Sequence, residues 1–131
     1  GHTSSELIVL DMPKMHTTEQ VGYAFNSLLK IHDAVIFSGN LYPDDETIRP
    51  KFKGSLISAE MFDNTPEVYA PLMKLDKSEI IKLYYEYSLD DILPMTHSCG
   101  SNGDVPCGEC FNCRERIWAY NKLNIPVQMG I

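Results

Sequence analysis

The sequence predicts an α/β chain: a small parallel sheet with crossover helices, followed by a metal-binding loop and a C-terminal helix. Three observations carry this expectation. Short apolar runs alternate with stretches of helical periodicity, the pattern of parallel strands joined by crossovers. All four cysteines lie between Cys99 and Cys113. No internal repeat, low-complexity tract or linker interrupts the 131 residues, a length that suits one domain.

The elements run in order along the chain. Leu7-Ile8-Val9-Leu10 is an apolar run closed by Asp11 and Pro13, and reads as a buried strand. Val21, Ala24, Phe25, Leu28 and Ile31 recur at helical spacing, with Thr17 and Gln20 as a capping-box start. Ala34 to Phe37 reads as a second buried strand, ending in the turn Ser38-Gly39-Asn40. Tyr42 to Glu46 is polar loop, and Arg49-Pro50 opens a helix reaching about Phe62. Val68 to Met73 is a third strand-like piece, broken near its end by Pro71. Asp76-Lys-Ser-Glu79 is a capping box before a helix with the apolar stripe Ile80, Leu83, Tyr84 and Tyr87, and Pro94 stops the next segment. Phe111 to Leu123 is helical, with Ile117, Tyr120 and Leu123 expected to face inward, and Asn124 and Pro126 end it.

Charge narrows the function. Eighteen acids against 11 bases leave a net charge of −7, which disfavours broad binding to nucleic-acid phosphates. Arg114, Arg116 and Lys122 form a local basic group, expected to solvate a helix face, and Glu109 and Glu115 read the same way. No apolar run approaches the length of a membrane span, and the first residues lack the basic-then-apolar pattern of a signal peptide. The expected location is the cytoplasm. Gly1 and His2 precede any methionine and read as the remnant of a cleaved tag.

The cysteine spacing is C-x7-C-x2-C-x2-C. Cys107, Cys110 and Cys113 are too crowded for a relaxed disulfide framework, whereas four thiolates at about 2.3 Å from one Zn²⁺ make a closed tetrahedral site. Gly100 and Gly108 each follow a cysteine, where a tight turn aims backbone amides at sulfur. Zinc on Cys99, Cys107, Cys110 and Cys113 is the expectation, in a structural role. An iron–sulfur cluster and a redox dithiol are the alternatives. His97 reads as a packing or surface residue, with a spare-ligand role as the other option. No histidine has a local partner that would make a triad, so no catalytic residue is assigned.

The loop carries a resemblance. Thr96-His97-Ser98-Cys99, the spacing to Cys107-Gly108, and Arg116 three residues after Cys113 resemble the zinc loop of the QueC family, the 7-cyano-7-deazaguanine synthases of queuosine biosynthesis. That family reads T-W-S-C, seven residues, then C-G-x-C-x-x-C-x-x-R, so His97 stands in place of Trp. Pro71-Leu72 followed by Lys77-x-Glu79-Ile80 is similar to its P-L-x-x-x-x-K-x-E-I element. Ile36-Phe37-Ser38-Gly39 falls at its I-x-I-G strand end, Asp44 matches a family acid, and Arg49-Pro50-x-Phe52 looks like its R-P-x-F. The likeness runs from about Leu7 to the end, and implies a single partial domain over 3–131 with the zinc loop and terminal helix at 96–125.

The resemblance implies an N-type ATP pyrophosphatase fold, partly Rossmann-like and of the adenine-nucleotide alpha-hydrolase kind. It also implies an enzyme that uses ATP and Mg²⁺ to adenylate 7-carboxy-7-deazaguanine. Ammonia then gives an amide, and a second activation yields the nitrile. An acyl-adenylate supplies the leaving group that a carboxylate lacks. Gly39, Asp44, Arg49 and Lys77 would face the deazapurine or the nucleotide, and family members often pair as homodimers. The family's phosphate loop, S-G-G-x-D-S, occurs nowhere in this chain, and the Arg and Asn of its P-x-R-N stretch are missing near Pro13-Lys14-Met15-His16. The chain is then either the C-terminal part of a synthase whose phosphate loop lies on another segment or polypeptide, or a diverged zinc-stapled binding module without turnover. A zinc-ribbon nucleic-acid binder is a third class, disfavoured by the acidic balance.

Overall fold

The computed structural model describes residues 17–48, 64–101 and 103–131. The strand expected at Leu7–Leu10 and the helix expected from Arg49-Pro50 to about Phe62 lie outside these residues. Among the described residues the order is α1 (Thr17–Leu28), β1 (Val35–Ile36), β2 (Val68–Tyr69), α2 (Lys77–Glu86), a 3-10 helix (Asp90–Met95) and α3 (Phe111–Lys122).

β1 and β2 pair in parallel, with Val35 opposite Val68 and Ile36 opposite Tyr69. The pairing continues as an isolated parallel bridge between Leu41 and Asp76. Both strands are shorter than their apolar runs suggest. Pro71 cannot donate to a ladder, and the chain after Tyr69 turns instead of extending. The strands are also not buried on both faces: Ile36 is 75% and Tyr69 58% exposed, while Val68 is buried. α1 ends a turn short of Ile31, which is exposed. Its Phe25 ring meets Phe37, just past β1, edge-on at 5.4 Å between centroids.

The core sits between α2, the 3-10 helix and α3. Ile81, Leu93, Ala119 and Tyr120 are its buried members, with Tyr84, Trp118, Leu123 and Ile125 packed against them. The inward stripe of α2 therefore passes through Ser78 and Ile81, one residue away from the stripe expected at Ile80 and Leu83, and Tyr87 is exposed. The Pro94 stop falls inside the 3-10 helix, which ends one residue later at Met95. On α3 the inward face is Cys113, Glu115, Arg116, Ala119 and Tyr120.

Two of those residues correct the sequence reading. Glu115 and Arg116, expected to solvate a helix face, are each only 3% exposed. Arg116 is satisfied by neutral acceptors. Its Nε donates to the Gln128 carbonyl, Nη1 to Ser98 Oγ at 2.9 Å and the Thr96 carbonyl at 3.3 Å, and Nη2 to the Leu93 carbonyl at 2.8 Å. One side chain thus ties α3 to the 3-10 helix, to the approach to the cysteine loop and to the C-terminal tail.

The start of α2 is built as its capping box predicts. Asp76 Oδ1 accepts from the Glu79 amide at 3.1 Å, and Glu79 Oε2 accepts from the Asp76 amide at 2.8 Å. Lys122, in the last turn of α3, places Nζ 2.9 Å from Asp76 Oδ2, and so is paired across the helices. Burial pushes the Asp76 carboxyl up, but the Ser78 hydroxyl, Lys122 and the Glu79 amide together outweigh it and hold it below its ordinary value. A group with a lowered folded-state pKa stabilises above its unfolded value, near 4, and loses that contribution as pH falls through the folded value. Asp76→Asn keeps a good N-cap but removes the charge. Its acid unfolding profile, followed by circular dichroism, should be flatter than wild type below about pH 4. An unchanged profile would rule out Asp76 as a contributor.

Candidate metal centre and adjoining pocket

The described residues between Thr96 and Cys110 have no regular secondary structure, and they include three of the four cysteines. Cys99 and Cys113 are buried, Cys110 is half-buried and Cys107 exposed, and all four are free thiols. Cys110 is the N-cap of α3 and Cys113 lies in its first turn, so the helix start itself positions two sulfurs. Gly108, between Cys107 and Cys110, has φ of +75°, a backbone state that L side chains resist.

The four Sγ atoms all lie within 4.8 Å of one another. Backbone amides converge on them: Ser101 and Cys107 donate to Cys99 Sγ at 3.4 Å each, Cys110 to Cys107 Sγ at 3.3 Å, and Gly100 to Cys110 Sγ at 3.5 Å. The Cys107 amide, the Ser101 hydroxyl and the Ser101 amide pull the Cys99 thiol down to about 5. The Gly100 amide lowers Cys110 against its burial. Burial pushes Cys113 up to about 12. Donors aimed at sulfur favour thiolate, the form that binds metal.

These residues fit one metal ion. Four sulfurs around an ion at about 2.3 Å stand a little under 4 Å apart, close to the spread found here. A cubane cluster puts each thiolate on a different iron and needs a wider ring of ligands. No position is left for substrate, so such an ion would staple the loop rather than do chemistry. His97 is not part of the quartet. Its Nε2 lies 2.7 Å from the Cys99 carbonyl and its Nδ1 contacts the Ile131 carbonyl, so it bridges the loop to the tail.

Next to the metal loop is a cavity of roughly 450 Å³. One wall is Phe37, Gly39, Asn40 and Tyr42, after the end of β1. A second is Met73 and Lys77, at the start of α2. The third is Cys110, Phe111, Asn112 and Glu115, where the metal loop becomes α3. The cavity is mostly apolar with a few converging polar groups, the usual make-up of a small-molecule site, and it opens beyond the carboxyl end of a parallel strand. The Tyr42 and Phe111 rings stand 5.8 Å apart. Glu115 is held between two partners: Asn40 Nδ2 donates to its Oε1 at 3.1 Å, and Lys77 Nζ lies 2.7 Å from its Oε2. Burial, then the Glu115 charge, raises the Tyr42 pKa.

The residues singled out in the sequence fall in different places. Gly39 and Lys77 line the cavity. Gly39 has a packing reason to lack a side chain, since a Cβ there would sit 2.3 Å from the Phe37 ring. Asp44 lies on an exposed turn, apart from the cavity walls. Arg49 lies outside the described residues. Glu115 was missed, because a charged residue in a helix rich in charge reads as solvated. One signal was available: Phe111 and Glu115 are four apart and so share a face of α3.

Comparison with known proteins decides the family. The profile described as "Queuosine biosynthesis protein QueC" matches residues 30–124. The chain belongs to the QueC family. A 7-cyano-7-deazaguanine synthase of Prochlorococcus marinus (strain AS9601) is 38% identical over 97 residues, 69% of this chain and 40% of that protein. Another, from strain MIT 9215, is 39% identical with the same coverage. A 7-cyano-7-deazaguanine synthase of Methanothrix thermoacetophila is 32% identical over 90 residues, 65% of this chain and 38% of that protein. The chain thus spans about 40% or less of the length of these QueC relatives. No solved structure matches. None of the described helices is long and apolar enough to cross a membrane.

Proposed function

We propose that this chain is the zinc-bearing part of a 7-cyano-7-deazaguanine synthase, and that its cavity holds the deazapurine during conversion of a 7-carboxy-7-deazaguanine to the nitrile with ATP and ammonia. The observation that carries this reading is the cavity itself. It is framed by the β1 end, the first residue of α2 and the helix start that continues directly from the cysteine quartet. The parallel β1–β2 pair then belongs to the edge of a larger sheet of the N-type ATP pyrophosphatase kind.

In this reading the ion on Cys99, Cys107, Cys110 and Cys113 is zinc. It supplies no chemistry to the substrate and fixes the wall formed by Phe111, Asn112 and Glu115. The chain's own residues bind and orient the ring: Phe111 and Tyr42 offer aromatic surface, and Lys77 a positive charge beside a carboxylate or oxo group. Placing the reacting carboxylate is the share of catalysis this chain would contribute, because positioned reactants lose much of their entropic barrier. The phosphates would be gripped by an S-G-G-x-D-S loop, a motif absent from these 131 residues and supplied by another segment or polypeptide. Reduced thiols suit the cytoplasm.

The test is a mixing experiment. The metal-loaded chain is combined with a segment of a QueC synthase that carries S-G-G-x-D-S, then given ATP, ammonia and 7-carboxy-7-deazaguanine. The nitrile should be detected by mass spectrometry, and the chain alone should show a raised melting temperature with the deazapurine. Binding without product would favour the second reading, a zinc-stapled module without turnover, which the missing phosphate loop supports. Neither binding nor product would refute both.

A further inference from the structure

We infer that Lys77 and Glu115, the latter oriented by Asn40, form a hydrogen-bonding ruler for the lactam edge of a guanine-type ring, with Glu115 the specificity-determining residue. This rests on the reading of the cavity as the deazapurine site.

Polar groups from the three walls stand in a fixed order around Glu115. Lys77 Nζ is beside Glu115 Oε2, and Asn40 Nδ2 beside Glu115 Oε1. The order offered to a ligand is donor, acceptor, acceptor: Lys77 Nζ, Glu115 Oε2, Glu115 Oε1, while the Asn40 amide spends its two N–H groups on the Leu41 carbonyl and Glu115 Oε1 and so orients the carboxylate. A 2-amino-4-oxo pyrrolopyrimidine presents the complement along one edge: oxo acceptor, ring N–H donor, amino donor. A carboxylate accepting from adjacent N–H groups is the natural partner of the two donors, since each of its oxygens has two lone pairs and the described residues use one on each. An adenine-type ring offers an amino donor first and a bare acceptor next, so it would set donor against donor and acceptor against acceptor.

Burial sharpens the discrimination. Glu115 is nearly inaccessible to bulk water, so a ligand that covers it without donating leaves a charged acceptor underserved. Phe111, four residues earlier on the same helix, supplies ring surface next to the carboxylate. The three polar groups come from the β1 end, α2 and α3, so the ruler exists only once these elements are assembled.

The experiment is calorimetric titration of the metal-loaded 131-residue chain with three near-isosteric bases: 7-deazaguanine, 7-deazahypoxanthine, which lacks the 2-amino group, and 7-deazaadenine. 7-Deazaguanine should bind roughly 5- to 150-fold more tightly than 7-deazahypoxanthine, the range expected of one paired edge contact, and 7-deazaadenine more weakly still. Glu115→Gln, checked for metal content and melting temperature, should lose most of the preference between the first two bases. Equal binding of all three by the wild-type chain would overturn the inference and leave the cavity reading standing. A folded Glu115→Gln that kept the full preference would overturn the assignment of Glu115. Binding of none would refute the cavity reading and the ruler together.

Discussion

Stripping the metal with a chelator, or replacing Cys113 by Ser, should unfold the region from Cys99 to Leu123 before the rest of the chain. The described residues between Ser101 and Cys110 are exposed or half-buried, with Val105 74% exposed, so apart from amide–sulfur hydrogen bonds the loop has little packing to hold its turns closed without an ion. Removing it leaves four thiols confined within 4.8 Å of one another, two of them tied to the first turn of α3. Structural zinc in small domains contributes about 10–16 kcal/mol of apparent binding free energy at neutral pH, comparable to the whole stability of an ordinary domain. α3 should therefore lose its start, and with it Phe111, Asn112 and Glu115 as a cavity wall. Far-UV circular dichroism should show a loss of helix that re-added zinc restores, and ligand binding should vanish in parallel. Native-like amide protection in α3 after complete metal loss would exclude a structural role for the ion.

Arg116→Met should be the most damaging single substitution outside the cysteines, costing about 3–5 kcal/mol in a urea titration. Methionine fills much of the same volume but donates nothing. The carbonyls of Leu93, Thr96 and Gln128 and the Ser98 hydroxyl would lose one donor together. Arg116→Lys should recover only part of the loss, because an ammonium on a flexible stem cannot reach acceptors spread around a planar fork. The spacing of the loss is diagnostic. The tail around Gln128 and the approach at Thr96–Ser98 should both gain hydrogen-exchange rate, although they are far apart in sequence. A destabilisation confined to α3 would contradict the bridging role.

The cysteine quartet and Arg116 differ in how far the sequence reveals them. The quartet was legible from spacing, because a metal site made of neighbouring residues writes its geometry into the chain. The α2 capping box was legible for the same reason: Asp76 and Glu79 are three apart, and each satisfies the other's amide. Arg116 was visible as a motif position in a resemblance, yet its burial was not. Three of its four acceptors are main-chain carbonyls, at residues 93, 96 and 128, and a carbonyl has no side-chain signature.

Local order, then, was written in short-range patterns: helix starts, a parallel strand pair around Val35 and Val68, and a sulfur cluster at one turn of helix. Which face of a helix turns inward depended on packing between segments distant in the chain. Periodicity put the α2 stripe one residue off, and it left Glu115 and Arg116 in water, because the pattern of a charge-rich helix cannot reveal partners on other elements. The cavity belongs wholly to this second class. Asn40, Lys77 and Glu115 meet only after three elements dock, and a buried carboxylate becomes tolerable only when such partners arrive to compensate it.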